Sequence, residues 1–295
     1  MARSFAGAGV ALVTPFTRSG ELDEAAFRRL VRRQIEGGID VLVPCGTTGE
    51  SPTLSDKEQR RVIELTVEES AGKVPVLAGA GGNDTRVVVE KARAACAVGA
   101  DGILSVGPYY NKPTPEGYYR HFTTIADAST APVIFYNVPP RTGGNIDVKT
   151  QLRLATHPNI TGVKEASGNL AQIMDILHDR PEGFEVLSGD DSLTLAFMAL
   201  GAQGVISVAA NQVPRPMHDL VAAGARGDFH EARLVHNRLL RLMNLNFVES
   251  SPVPVKASLA LLGLCEESYR LPLVPPTEST REVLRAALVE LGLLK

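Results

Sequence analysis

Eight short β-rich runs punctuate the first two-thirds of the chain, with helical patterns between them. The runs are GVALVTP from Gly9, IDVLVP from Ile39, VPVLAG from Val74, GILSV from Gly102, PVIFYN from Pro132, ITGVKE from Ile160, FEVLSG from Phe184 and GVISVA from Gly204. A spacing of roughly 20 to 35 residues leaves room for the crossover that parallel strands require. Eight such units predict an α/β fold, a (β/α)8 TIM barrel. The intervening helices carry their own punctuation: Asp23–Glu36 stops at Gly37-Gly38, Ser55 and Glu58 are spaced as a capping box, and Pro115 opens a helix behind Thr114. After Ala209 only helical patterns remain, in RGDFHEARLVHNRLLRLMNLNF, VKASLALLGL and REVLRAALVELGLL. Residues 1–220 therefore read as the barrel, and 221–295 as a C-terminal helical appendage packed on it.

Composition narrows the function classes. Of the 295 residues 44% are hydrophobic, ample for a core, and 30 Lys and Arg against 33 Asp and Glu leave no basic field for nucleic acid. Three cysteines, Cys45, Cys96 and Cys265, have no CxxC spacing and cannot all pair, which points to a reducing compartment. The apolar stretch MARSFAGAGVALVTPF is interrupted at Thr14-Pro15, and no run approaches the ~18 apolar residues of a membrane span. A cytoplasmic protein without membrane partner is expected. The six histidines show no ligand spacing, GAGGND lacks the last glycine of a dinucleotide fingerprint, and Asp190-Asp191 before a helix is an N-cap sooner than a Mg²⁺ site. Neither metal nor organic cofactor is expected.

In a barrel of this kind the reacting groups stand where strands end. Those ends are polar here: CGTTGES, AGAGGND, GPYYNKP, YNVPPRTG, KEASGN and SGDD. Lys164 is an ammonium at the end of an apolar run, where desolvation lowers its pKa and frees a nucleophilic amine. A rim ion pair without chemistry is the competing reading. Tyr136 ends the preceding run and could relay protons to that amine, or be a buried phenol that is merely satisfied. Thr47 and Thr48 in GTTGE form an uncharged anion cradle, unless the segment is a plain tight turn with Glu50 in solvent. Arg141 offers a planar fork for a carboxylate, or is a solvated loop arginine.

Together GTTGE, PYYN, YNVPPRTG and KEASGN resemble the dihydrodipicolinate synthase family from about Val10 to the end of the chain. The resemblance implies a pyruvate-dependent, Schiff-base-forming lyase on a barrel, assembled as a homotetramer of two tight dimers. The implied reaction joins pyruvate to L-aspartate 4-semialdehyde in lysine and diaminopimelate biosynthesis. Lys164 would be the Schiff-base lysine, Tyr136 the acid/base phenol and Thr47 a relay hydroxyl. Tyr110 would be donated across the dimer, Thr48 would bind the pyruvate carboxylate, Arg141 would hold the semialdehyde carboxylate, and Gly189 and Ile206 would line the pocket with backbone. The sugar-acid aldolases of the same family generally lack such an arginine, which separates them from this chain. A non-catalytic keto-acid sensor is disfavoured, because it would need no such relay. By the same resemblance an allosteric cleft for lysine would be lined by Ser51, Pro52, Asp56, Gln59, Asn83, Val87 and Tyr109. Val87 replaces the glutamate of sensitive members, so weak or absent inhibition is expected. One departure is the Ser250-Ser251 pair in FVESSPVPVK, where Ser251-Pro252 replaces an Asn-Pro.

Overall fold

A computed structural model describes residues 4–295, so Met1 to Arg3 of the apolar N-terminal stretch lie outside the described residues. Eight parallel strands follow one another: β1 Gly7–Ala11, β2 Val41–Val43, β3 Leu77–Gly79, β4 Gly102–Val106, β5 Val133–Asn137, β6 Ile160–Glu165, β7 Glu185–Ser188 and β8 Gly204–Ser207. Neighbours in sequence pair along the sheet, β1 also pairs β8, and a parallel bridge between Leu42 and Val76 closes the ring. The architecture is the expected barrel. One boundary differs: β1 begins two residues before Gly9 and ends at Ala11, because the backbone N–H of Val13 is taken by the Asn211 side chain at 3.2 Å.

The helices are α1 Glu24–Glu36, α2 Asp56–Ser70, α3 Thr85–Ala97, α4 Pro115–Ala128, the single turn α5 Pro139–Thr142, α6 Val148–Ala155, α7 Leu170–Asp179, α8 Thr194–Ala199, α9 Pro214–Ala225, α10 Phe229–Leu245, α11 Val253–Leu261 and α12 Glu278–Glu290. Their ends follow the local chemistry. Asp23 caps α1, Ser55 and Glu58 complete the capping box of α2, and Thr114 caps α4 ahead of Pro115. Among the described residues no helix is long and apolar enough to cross a membrane.

Strand pleating divides the core in two. Alternate residues such as Ala11, Val43, Leu77, Leu104, Ile134, Leu187 and Ile206 fill the barrel, while Val10, Leu42, Ile103, Phe135, Val163 and Val205 pack outward under the helices. The C-terminal helices join the barrel by a third cluster, in which Val255 and Leu259 of α11 meet Val13, Leu30 and Val208.

Candidate active site

The pleat decides which side chains reach the mouth. Tyr136 pairs with Lys164 and Asn137 with Glu165 across β5 and β6. The first pair turns into the barrel and the second turns out beneath the helices. Glu165 is fully buried, and its carboxylate is satisfied by Asn137 Nδ2 at 3.0 and 3.2 Å, Gln151 Nε2 at 2.8 Å, Gln172 Nε2 at 3.3 Å and the Ser167 backbone N–H at 2.7 Å. These bonds tie β5, β6, α6 and α7 together around the seam that carries the inward pair.

Lys164 is 6% exposed, and among the described residues its ammonium makes neither ion pair nor hydrogen bond. Its Nζ lies 4.3 Å from the centre of the Tyr136 ring. Desolvation brings the lysine down to about 8, with Arg141 acting in the same direction and the Asp191 carboxylate opposing it. Burial drives the Tyr136 phenol up to about 12, so it stays protonated at neutral pH and can donate. Gly189 is needed for the lysine to pass: a Cβ there would stand 3.1 Å from Lys164 Cε and 2.7 Å from Ala166 Cβ. Asp191 accepts the Val208 and Ala209 backbone N–H groups at 3.0 and 2.8 Å, and burial raises its pKa. Asp190 supplies the expected cap, accepting from Ser192 N at 2.9 Å.

A cavity of about 270 Å³ opens at this end of the barrel, and Lys164, Tyr136, Thr47, Thr48, Arg141 and Gly189 all line it. Thr47–Gly49 form a turn of 3₁₀ helix, which is pinned from below where Thr14 Oγ1 donates to the Gly49 carbonyl at 2.7 Å. Arg141 stands on α5, and its Nη2 donates to the Ser251 carbonyl at 3.3 Å, so the departing Ser-Ser segment touches the cavity through backbone. Ile206 is a buried residue of the barrel interior one layer below, and Val208, two residues on, reaches the cavity instead. Tyr110 is not brought in. Its φ is +74°, its side chain is 89% exposed, and its neighbour Tyr109 lines the cavity.

The cleft residues are divided. Ser51, Pro52 and Tyr109 border the same cavity, whereas Asp56, Gln59 and Val87 border a second one between α2 and α3. Gln59 Nε2 donates to the Ser51 carbonyl at 3.0 Å, which links the two groups, while Asn83, bordering neither cavity, donates from Nδ2 to the Tyr109 carbonyl at 3.3 Å.

The solvent reading of Glu50 is overturned. Glu50 is 2% exposed and adopts a left-handed φ of +54°, and its Oε1 accepts from Lys256 Nζ of α11 at 2.5 Å, with both side chains fully buried. The sequence reading missed Lys256. The usable signal was local: VPVKASLAL is apolar on every face, so its single cation has nowhere polar to point.

Comparison with known proteins agrees with this geometry. Residues 4–291 match the dihydrodipicolinate synthetase family. The chain is similar to the 4-hydroxy-tetrahydrodipicolinate synthase of Chloroherpeton thalassium, 55% identical over 99% of this chain and 97% of that protein. Among solved structures it is similar to dihydrodipicolinate synthase from Aquifex aeolicus, with a TM-score of 0.96 and 46% identity over 98% of this chain and 99% of that one. It is equally similar in fold, at 43% identity over 98% of both chains, to a protein described as the first monomeric dihydrodipicolinate synthase variant, with a TM-score of 0.96. A barrel whose unpaired lysine and phenol share one mouth, joined to these likenesses over almost its whole length, places the chain in the dihydrodipicolinate synthetase family.

Proposed function

We propose that this chain is a 4-hydroxy-tetrahydrodipicolinate synthase, condensing pyruvate with L-aspartate 4-semialdehyde as a step of lysine and diaminopimelate biosynthesis. The observation that carries the reading is Lys164, an amine brought by desolvation to about 8, without an ion pair or hydrogen bond among the described residues, beside the Tyr136 ring in the cavity. The neutral amine adds to the pyruvate ketone. Loss of water then gives a protonated imine, with Tyr136 and Thr47 carrying the protons. The imine makes a C3 proton of pyruvate removable, and the resulting enamine carbon attacks the semialdehyde. Attack of the substrate's own amine on the imine carbon closes the ring and releases Lys164. Thr48 is the donor for the pyruvate carboxylate, with Gly189 and Val208 as walls, and Arg141 is the fork for the semialdehyde carboxylate. Arg141 in the cavity rim favours this acceptor over a sugar acid.

Tyr110 points away from its own cavity, which supports an assembly in which it completes a partner's site, at least a dimer. The resemblance extends this to a homotetramer of two such dimers, working in the cytoplasm, with residues 1–220 as catalytic barrel and 221–295 as the helical region. We read the Ser51, Asp56, Gln59, Asn83, Val87 and Tyr109 cleft as a weak or silent lysine site, because Val87 cannot pair an ammonium. Borohydride reduction in the presence of pyruvate, followed by peptide mass analysis, should label Lys164. A label on any other residue, or none, overturns the reading.

A further inference from the structure

The loop that presents Thr47 and Thr48 is held from outside the barrel. Glu50 follows the 3₁₀ turn directly, and its N–H donates to the Thr47 carbonyl at 3.1 Å. At φ +54° it occupies a region that residues with a Cβ enter at a cost, and such a conformation persists only where the surroundings enforce it. The enforcing contacts come from the C-terminal quarter of the chain. Lys256 Nζ bonds Glu50 Oε1 at 2.5 Å, lying 4.3 Å from the Phe16 ring centre and 5.3 Å from that of Tyr269. The Arg270 backbone N–H approaches Glu50 Oε2 at 3.4 Å, and the Arg270 guanidinium donates to the Thr53 carbonyl at 2.9 Å, closing the far end of the same loop. A buried ion pair is a poor device for stability, since well-packed apolar residues serve as well or better; what it supplies is a fixed distance and direction.

We propose that Lys256 and Glu50 are positioning residues for pyruvate: their buried contact sets the place of the Thr47–Thr48 hydroxyls, so that α11 governs how tightly the keto acid's carboxylate is held. The inference deepens the synthase reading and rests on the role given there to Thr48. Neither residue lines the cavity, so both act through the loop.

The test reads the pyruvate concentration that gives half-maximal borohydride trapping at Lys164, together with the Michaelis constants for both substrates. Glu50→Asp keeps both charges but shortens the reach by one methylene, and Glu50→Gln with Lys256→Met removes the pair without leaving a lone charge. Each should raise the half-trapping concentration at least about tenfold, with the Michaelis constant for the semialdehyde within about twofold of the parent. Adding Thr48→Ala to either should cost little more than Thr48→Ala alone, since both changes remove the same contact. Folded variants whose half-trapping concentration stays within about twofold of the parent overturn the proposal. If the double variant fails to fold, Glu50→Asp decides. Failure of the underlying reading looks different: Thr48→Ala would itself leave trapping unchanged, or the parent would not trap at all.

Discussion

Among the described residues two lysines are buried, and they have opposite fates. Lys164 at the end of β6 and Lys256 in α11 are 6% and 0% exposed, each lies 4.3 Å from the centre of an aromatic ring, and burial lowers the pKa of both. Lys256 has a carboxylate at 2.5 Å; among the described residues Lys164 has none in contact. Desolvation alone therefore does not make a reactive amine. A partnered amine has a carboxylate opposing the loss of its proton and serves as a strut, whereas an unpartnered one is left able to give its proton up.

The sharpest way to break this contrast is to exchange the losses. Lys164→Ala should lower condensation by at least about three orders of magnitude, as removal of a covalent nucleophile does, while the fold remains intact. Turnover close to the parent's would end the assignment of the strand-end lysine. Lys256→Met should act mainly on stability, because it strands the Glu50 carboxylate in the interior. A loss of about 3–5 kcal/mol is expected by denaturant titration, and a loss under about 1 kcal/mol would mean that Glu50 can reach water.

A pH profile comes next in size. With Lys164 brought from 10.5 to about 8, kcat/KM for pyruvate should climb about tenfold per unit up to pH 8 and then level. The linked stability has a definite sign. Folded protein releases this proton at about 8 and the unfolded chain only at 10.5, so the contribution of Lys164 to stability rises with pH across that interval and is unfavourable below it. Lys164→Met, which abolishes turnover, should flatten the stability curve; an unchanged stability profile would show that the amine is solvated. The smallest effect concerns the cleft, where a ligand's ammonium meets Val87, 49% exposed, in place of a carboxylate. L-lysine should fail to half-inhibit at submillimolar concentration. Val87→Glu should tighten inhibition by about tenfold, the same lesson of partnered charge applied to a ligand. Submillimolar inhibition of the parent would contradict it.

The barrel and the catalytic amine were legible in the sequence because both are local signals: alternation of apolar runs, and a cation closing one of them. The ends of α1, α2 and α4 were legible for the same reason, since Asp23, Ser55 and Thr114 act within a single turn. Glu50 was not. Its partner stands 206 residues away, and nothing in GTTGE distinguishes a carboxylate bound for the interior from one bound for water. The end of β1 was misplaced because Asn211, again distant in sequence, takes the Val13 N–H that would have extended it past Ala11. Tyr110 lay between: its motif was plain, but only its exposure of 89%, away from the cavity lining, shows that it does not enter its own site.

The outward cluster on Glu165 has a consequence for how the chain can change over evolutionary time. Lys164 and Glu165 are adjacent on a pleated strand, so sliding β6 by one position against β5 would exchange them. The mouth of the barrel would then present an anion where it now presents an amine, and would repel the very acids it is built to hold. The amides of Asn137, Gln151 and Gln172, which do not line the cavity, act as a guard against that inversion of polarity. Insertions in β6 should thus be far less tolerated than insertions of equal length in the loops on either side.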